Sequence, residues 1–322
     1  MRAINLTAAI GPDGLRAVDV DEPDDDGRVV VDMCTWGVSY PDLLQTAGAY
    51  QVMRPLPFVP GIEGAGFVRS APSGAGFSPG DRVAVLALSG AWQQTVAVLP
   101  NHVFPLPDSV SLTAGSGILM NYMTAHFALV DRAQCNAGET VLVHGAGGGL
   151  GTAALQVAAA FGLDTIAVVS SDAKAHAARE NRATHVIGVD GWKDRVGAIT
   201  GGRGVDIVID PVGGDRFTDS IRSLRRGGRL VVLGFVGGEI PTVKVNRLLL
   251  KNVSVLGAGW GEYVREVPEY PATQWAHLEP LLASGELQIV EPTLVPFEDA
   301  ATALRMIESR SAIGKVALHI SN

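Results

Sequence analysis

Val141-Leu-Val-His-Gly-Ala-Gly-Gly-Gly-Leu-Gly151 is the stretch that decides how this 322-residue chain folds. Val141 to Val143 is a short apolar run of the kind that forms a buried strand. A glycine-rich turn follows, and Thr152 to Phe161 is helix-forming. Strand, tight glycine turn and helix in that order build a pyrophosphate site. Glycines let the backbone approach phosphate oxygens, and the helix start offers unpaired N–H groups and the positive end of a dipole. Of the three places of a G-x-G-x-x-G fingerprint, Ala146 holds the first, and Gly148 and Gly151 hold the others. The backbone of Ala146, Gly148, Gly149, Leu150 and Gly151 is therefore the expected cradle. The other reading of this turn is packing alone, and the surrounding pattern decides against it. A second strand is expected over Asp164–Val169, ending at Ser170-Ser171. Val205-Asp-Ile-Val-Ile-Asp210 runs into Pro211-Val-Gly-Gly214, and Gly228-Arg-Leu-Val-Val-Leu-Gly234 also ends in glycine. Apolar strands alternating with helical segments predict a doubly wound parallel sheet.

The chain is long enough for two domains with sizeable cores. A formal net charge of −8 argues against a nucleic-acid surface. The one dense charge run, Asp19-Val-Asp-Glu-Pro-Asp-Asp-Asp26, reads as a solvated loop between strands rather than an ion cage. No apolar stretch has membrane-spanning length. Met1-Arg-Ala-Ile-Asn5 lacks the charged region and apolar block of a signal peptide. The two cysteines, Cys34 and Cys135, make no disulfide framework. A cytoplasmic protein with no membrane or nucleic-acid partner is expected.

The first hundred residues differ in texture. Short β-like runs, Arg28–Met33, Gly64–Arg69, Arg82–Leu88 and Trp92–Val98, are separated by Pro and Gly clusters. They predict a compact antiparallel β domain. The α/β texture fades after Leu256, and a final strand is expected over Lys315–Ile320, pairing back into the β domain. The expected organisation is a discontinuous first domain, residues 1–120 and 260–322, with a Rossmann domain, 121–259, inserted.

Several marks recur in order along the chain. They are Gly37-Val-Ser-Tyr-Pro-Asp42, Gly48-Ala-Tyr50, Leu56-Pro-Phe-Val-Pro-Gly-Ile-Glu63 and Phe77-Ser-Pro-Gly-Asp-Arg-Val83, then Gly138-Glu-Thr-Val-Leu-Val-His-Gly145 and Gly204-Val-Asp-Ile-Val-Ile-Asp-Pro-Val-Gly-Gly214. With them the sequence resembles the medium-chain dehydrogenase/reductase superfamily, in its zinc-free quinone oxidoreductase branch, which includes zeta-crystallin. The resemblance covers nearly the whole chain. It implies a GroES-like antiparallel β domain plus a Rossmann domain, with the active site in the cleft between them. In zinc-dependent relatives a cysteine stands at the Ser39 position, a histidine at Ile62 and a second cysteine at about Met120. A catalytic zinc needs three converging N, S or O ligands, so no metal is expected here. The four clustered cysteines of a structural zinc are likewise missing from Ala84–Gln93.

An acidic residue for the ribose hydroxyls of NAD is expected at the end of the second strand. Ser170 and Ser171 stand there instead, with Lys174 one turn on. Hydroxyls and a cation suit the 2′-phosphate of NADPH, and serine and lysine often do this work in the resembling reductases. Asp172 lies close enough to oppose it, and the other reading of Lys174 is a solvated helix residue. By position in the resemblance, Asn121, Thr124, Gly234, Phe235, Asn252 and Lys315 also lie near the cofactor or the cleft.

The resemblance puts the chemistry at the nicotinamide, where an acceptor oxygen gathers negative charge and needs hydrogen-bond donors. Tyr50, in the Gly-x-Tyr loop, is the first candidate, either as proton donor or as a rim residue. Ser39 and Tyr40 are the second, in a segment where relatives usually carry asparagine at Ser39. The leading expectation is an NADPH-dependent, zinc-independent reductase of quinones or α,β-unsaturated carbonyls. Alternatives are an enoyl-thioester reductase, or a nucleotide-binding structural or RNA-binding protein of the zeta-crystallin kind. A homodimer is expected, with Arg247–Gly257 as a candidate sheet edge. Gly76-Phe-Ser-Pro-Gly80 matches the nucleophile elbow of hydrolases, but a strand rather than a helix is expected after it, which excludes that chemistry.

Overall fold

The structure is a computed structural model that describes residues 1–52 and 54–320. In chain order it begins with β1 (Arg2–Leu6), β2 (Leu15–Asp19), β3 (Val29–Val38), α1 (Tyr40–Thr46), β4 (Glu63–Ser70), β5 (Arg82–Leu86), β6 (Thr95–Val98), β7 (Val103–Pro105) and α2 (Leu112–Gly115). Helix α3 (Ile118–His126) then continues as one wider, π-type turn over Phe127–Arg132. The α/β stretch follows: β8 (Thr140–His144), α4 (Gly149–Ala160), β9 (Asp164–Val169), α5 (Asp172–Glu180), β10 (His185–Gly188), α6 (Trp192–Ile199), β11 (Val205–Asp210), α7 (Phe217–Ser223), β12 (Leu224–Val232), α8 (Asn246–Lys251), β13 (Ser254–Gly257) and α9 (Trp260–Glu266). The chain closes with α10 (Tyr270–Ala283), β14 (Thr293–Pro296), α11 (Ala300–Glu308) and β15 (Val316–His319).

The chain divides into two compact units, Met1–Met120 with Val267–Asn322, and Asn121–Glu266. The second boundary falls later than the expected residue 260. The reason is α9: Trp260 and Val264 are buried, and the Tyr263 ring lies 5.1 Å from that of Phe127, on the π-type turn of the second unit.

In the first unit, β3 is the hub of a seven-stranded sheet ordered β14-β15-β3-β4-β5-β7, with β6 also on β3. All its pairs are antiparallel except β14–β15. The last strand pairs with β3, Val316 opposite Val38. Strand β3 runs well past the expected Met33, because Trp36 and Val38 carry its apolar pattern into the core. Trp36 and Trp92 are both fully buried and satisfied: one indole donates to Gln93 O (2.9 Å), the other to Gly37 O (3.2 Å). Ser78 of the hydrolase-like motif sits in the turn between β4 and β5, its N–H on Asp81 Oδ2, with no helix after it.

In the second unit all six strands are parallel, in the order β10-β9-β8-β11-β12-β13. Strand β11 is buried at every residue, and β8 at all but its first. Helices cover both faces of such a sheet, which is why these strands read as unbroken apolar runs. Helix α4 is rich in alanine and buried from Gly151 to Ala158, so small side chains let it lie close to the strands.

An ionic network closes the end of this sheet where β8 and β11 begin. Glu139 takes both ends of the Arg229 guanidinium, at 2.7 and 2.8 Å, while Asp206 takes Arg225, Arg203 (3.3 Å) and the Thr140 N–H (2.9 Å). Arg229 holds the Glu139 carboxyl below its ordinary range. Burial pushes Asp206 up, but the Thr140 N–H and Arg225 outweigh it and leave it lowered as well. Depressed carboxylates stabilise the fold above the ordinary carboxylate range, and that contribution is lost as pH falls through it. Glu139→Gln is expected to cost about 2 kcal/mol at neutral pH, read from the urea midpoint, with the difference from wild type shrinking below pH 4. An unchanged midpoint would show that the network contributes nothing.

Candidate active site

The expected cofactor residues of the second unit gather at the edge of the parallel sheet where its strands end. Strand β8 gives way to a turn in which Gly145 takes φ +61°, and the first turn of α4 is Gly149-Leu150-Gly151 itself. The helix thus starts three residues before the expected Thr152. Backbone crowding explains this. A Cβ on Gly151 would stand 2.3 Å from Gly145 O and 2.6 Å from Ala146 Cα, so only glycine lets the helix begin so close to the turn. The first N–H groups of α4 have no intrahelical partner. Gly148 caps the helix without a side chain and leaves their approach open.

Ser170 and Ser171 follow β9 and are exposed. Ser171 caps α5, its hydroxyl accepting from the Lys174 N–H (3.3 Å). Lys174 lies directly against the glycine turn: a Cβ on Gly147 would be 2.6 Å from Lys174 Cβ. The fingerprint and the Ser-Ser-x-x-Lys segment are therefore one locus. On the far side of β8, Asp210 Oδ1 accepts from the N–H groups of Val212 and Gly213, both at 2.9 Å. That turn in turn holds the loop after β12, through Val236 N–H to Pro211 O (3.1 Å) and Gly237 N–H to Val212 O (2.9 Å). Gly234 and Phe235 are thereby fixed, half-buried, at the same edge. Burial raises the Asp210 carboxyl, partly offset by those two N–H donors.

Beneath the turn, His144 is fully buried. Ser220 donates its proton to Arg216 O (3.0 Å), which makes its oxygen the acceptor for His144 Nε2–H (2.9 Å). Burial, aided by the Arg216 charge, pushes this histidine down to about 3, so the ring is neutral. Asn121 and Thr124, three residues apart, share a half-buried face of α3.

Asn252 is not brought to this edge. It caps α8 in the left-handed conformation (φ +50°), two residues before β13 begins, its amide between Leu249 O and Arg226. In a parallel sheet the start of a strand lies opposite the strand ends, so Asn252 sits across the sheet from the glycine turn. It stands at the edge where β13 begins, away from the other expected cofactor residues of this unit.

In the first unit, Ser39 follows β3 and caps the start of α1. Tyr50 follows the other end of that helix, so a helix length of roughly 10 Å separates the two positions along its axis. Tyr40 is half-buried, its ring packed against the β-domain core. Around Ser39 the structure assembles a charged cluster that sequence reading does not foresee. Lys315 Nζ donates to Ser39 Oγ (2.7 Å) and to Glu63 Oε1 (2.5 Å). The Ser39 hydroxyl donates to the same Oε1 (3.2 Å), and Met120 N–H donates to Glu63 Oε2 (2.9 Å). The Lys315 and Glu63 side chains are 8 % and 1 % exposed. Asp42, fully buried, accepts the Ser39 N–H on Oδ2 (2.8 Å). Burial raises its carboxyl to about 7, against the pull of the Ser39 N–H and the nearby ammonium. The signals in the sequence were an S-x-x-D capping pattern at Ser39–Asp42 and one acid, Glu63, in an apolar run.

This cluster tests the fit of a catalytic zinc. Its three expected ligand positions hold a hydroxyl, Ser39, already engaged by Lys315 and Glu63, a hydrocarbon, Ile62, and a thioether, Met120. An ammonium bonded to Ser39 would also repel a dication. The residues present do not fit the metal. The glycine turn, by contrast, fits a dinucleotide: the N–H groups at the start of α4 are left open by the Gly148 cap.

Two compact units, one a mainly antiparallel β domain closed by the last strand and the other a parallel sheet with a phosphate-type turn, define a two-domain dehydrogenase fold. Residues 25–132 match the family described as "Alcohol dehydrogenase GroES-like domain", and residues 149–277 the one described as "Zinc-binding dehydrogenase". A "Quinone oxidoreductase-like protein 2" of Bos taurus is 36% identical over 299 residues, covering 91% of this chain and 84% of that protein. Among solved structures, a probable oxidoreductase from Mycobacterium abscessus superposes with a TM-score of 0.89 at 41% identity, covering 99% of this chain and 98% of the other. The quinone oxidoreductase of Thermus thermophilus, solved also in complex with NADPH, gives 0.87 at 33%, covering 99% and 100%. The chain belongs to the quinone oxidoreductase branch of the medium-chain dehydrogenase/reductase superfamily. No helix among the described residues is long and apolar enough to cross a membrane.

Gly151→Ala tests the crowding argument. It is expected to cost about 1–3 kcal/mol as the helix start is forced off the turn, and to weaken NADPH binding. A melting curve and a fluorescence titration read both. Wild-type values in each would show that the close approach is dispensable.

Proposed function

We propose that this protein is an NADPH-dependent, zinc-independent reductase of quinones and other α,β-unsaturated carbonyls. The observation that carries this reading is the contact of Gly147 with Lys174, which sets the Lys174 side chain beside the phosphate-type turn. The N–H groups at the start of α4 would take the pyrophosphate, and Lys174 with Ser171 the 2′-phosphate. Gly234, Phe235 and Thr124 would border the nicotinamide half. When bound, NADPH supplies a hydride to an electron-poor carbon. The donor groups of the chain would then meet the charge that gathers on the acceptor oxygen. The quinone oxidoreductase relatives support the acceptor class, and the Thermus complex supports the cofactor. A conjugated acceptor needs no Lewis acid, which accords with the donor set around Ser39. A cytoplasmic setting goes with this reading, since it keeps thiols such as Cys34 and Cys135 reduced.

The test is nucleotide oxidation by the purified protein with a panel of ortho-quinones, para-quinones and simple enones, NADPH and NADH in parallel. Turnover is expected with NADPH. Lys174→Ala is expected to weaken NADPH by about tenfold, the worth of one charge-assisted hydrogen bond, and to leave NADH unchanged. Equal loss with both nucleotides would remove Lys174 from the 2′-phosphate, and no turnover with any acceptor would remove the reductase reading.

The reading extends to a homodimer. β13 is an edge strand, and next to it Val245, Leu249 and Leu250 are 72%, 75% and 74% exposed. A sheet edge flanked by apolar side chains suits a second copy of the same edge. Light scattering is expected to give a dimer that Leu249→Asp with Leu250→Asp splits. A monomeric wild type would contradict it.

A further inference from the structure

Four cations line a cavity of about 300 Å³ in the second unit, with one carboxylate, Asp194, among them. Lys193 comes from the start of α6 and Arg203 from the turn before β11. Arg222 stands at the end of α7, just before β12, and Lys251 at the end of α8, ahead of β13. Three of the four thus stand where strands begin. The glycine turn follows a strand end, so this cavity lies across the parallel sheet from it and shares no residue with the nucleotide cradle.

The cations outnumber the carboxylates that hold them. Lys193 Nζ and Arg222 Nη1 share a single oxygen, Asp219 Oδ1, at 3.2 and 2.9 Å. Arg203 pairs with Asp206 at 3.3 Å, and Arg225 bonds the same carboxylate. Lys251 has no carboxylate within ion-pair distance among the described residues. Its ammonium donates instead to two carbonyls, Arg222 O (2.5 Å) and Leu224 O (2.6 Å), which uses two of its three N–H groups. Burial and, after it, the Lys193 ammonium hold Lys251 below its ordinary range. An anion between the two ammoniums relieves that repulsion. The cations come from four separate elements and face one concave space, rather than forming a stripe. A chain of net charge −8 also repels polyanionic surfaces. Such a site suits a small, multiply charged oxyanion, for which lysine and arginine are the usual partners. Gly197 keeps the cavity open: it lines the wall, and a Cβ there would meet no atom within 4 Å.

We propose that this cavity binds the phosphate group of a small molecule, as a second anion site separate from the nucleotide turn. Lys193 and Lys251 supply the first contacts. The Arg203 and Arg222 side chains, 52% and 53% exposed, are free to turn toward the phosphate and add theirs. A bound phosphate ties α6, α7 and α8 to one another, so occupancy stabilises the second unit. The site goes beyond the reductase reading and does not depend on it.

The test is isothermal titration at constant ionic strength, with NADPH saturating the glycine turn and inorganic pyrophosphate and glycerol 3-phosphate as probes. A Kd of about 1 mM or tighter is expected for at least one of them, with no heat above a potassium chloride control. The probe preferred tells an inorganic from an organic phosphate. Lys251→Met is expected to weaken binding about tenfold, the loss of one charge-assisted contact. Asp194→Asn should tighten it roughly twofold, by removing the one carboxylate on the wall. Gly197→Glu should abolish it by bringing a carboxylate among the cations. The fold is kept there, because the Cβ has room and glutamate forms helix better than glycine. Should Lys251→Met fail to fold, Gly197→Glu decides alone. Heat matched by potassium chloride, binding kept in Gly197→Glu, or binding seen only when NADPH is left out would each overturn the proposal. So would RNA or anionic vesicles binding more tightly than either probe, which would make this a macromolecular surface. None of these readouts involves turnover, so a failure here leaves the reductase reading standing, and an enzyme inert toward every acceptor leaves this site open to the same test.

Discussion

One buried ion pair, Lys315 with Glu63, ties together parts of the chain far apart in sequence. Lys315 stands just before β15, Glu63 opens β4, Ser39 follows β3, and Met120 lies on α3; all four meet through the two Glu63 oxygens. The contact from Lys315 to Ser39 spans 276 residues. It forms only when the last strand has returned to β3, with Val316 opposite Val38. Closing a loop of that length is unfavourable, and a charge-assisted contact made only in the closed state helps select the register. The same pair engages Ser39, so closure of the β domain and the donor set at that position share one cause.

The second unit answers to a different constraint, the distance between backbones. Its strand ends carry three turns in a row, after β8, β11 and β12. Each is held by main-chain groups: the Gly145–Gly151 crowding, the Asp210 side chain on Val212 and Gly213, and the bonds from Val236 and Gly237 back to the β11 turn. A site built from backbone in this way is stiff and carries little charge, and the neutral His144 ring adds none. The cation at its margin is Lys174, whose side chain lies against Gly147.

Much of this was legible from sequence, for physical reasons that differ from element to element. Strands β9 and β11 fall where the apolar runs predict, because a strand covered on both faces must be apolar throughout. Strand β10, His185–Gly188, gives no such signal, since an edge strand is half exposed. The start of α4 reads three residues late because glycine is a poor helix former, whereas here its missing Cβ is what the helix start requires. Which edge of the sheet Asn252 occupies depends on α8 and the crossover before β13, and no local pattern records that. Glu63 and Asp42 are ordinary acids in the sequence. Their meaning comes from convergence with Lys315, which only the closed sheet provides.

The central claim is that the chain works without a metal, an ammonium–carboxylate pair holding the Ser39 position instead. Its most direct test joins elemental analysis of the purified protein to NADPH-dependent quinone turnover before and after exhaustive chelation. The account predicts no stoichiometric zinc and the same turnover in both samples. One zinc per chain whose removal abolishes turnover, and whose return restores it, would contradict it.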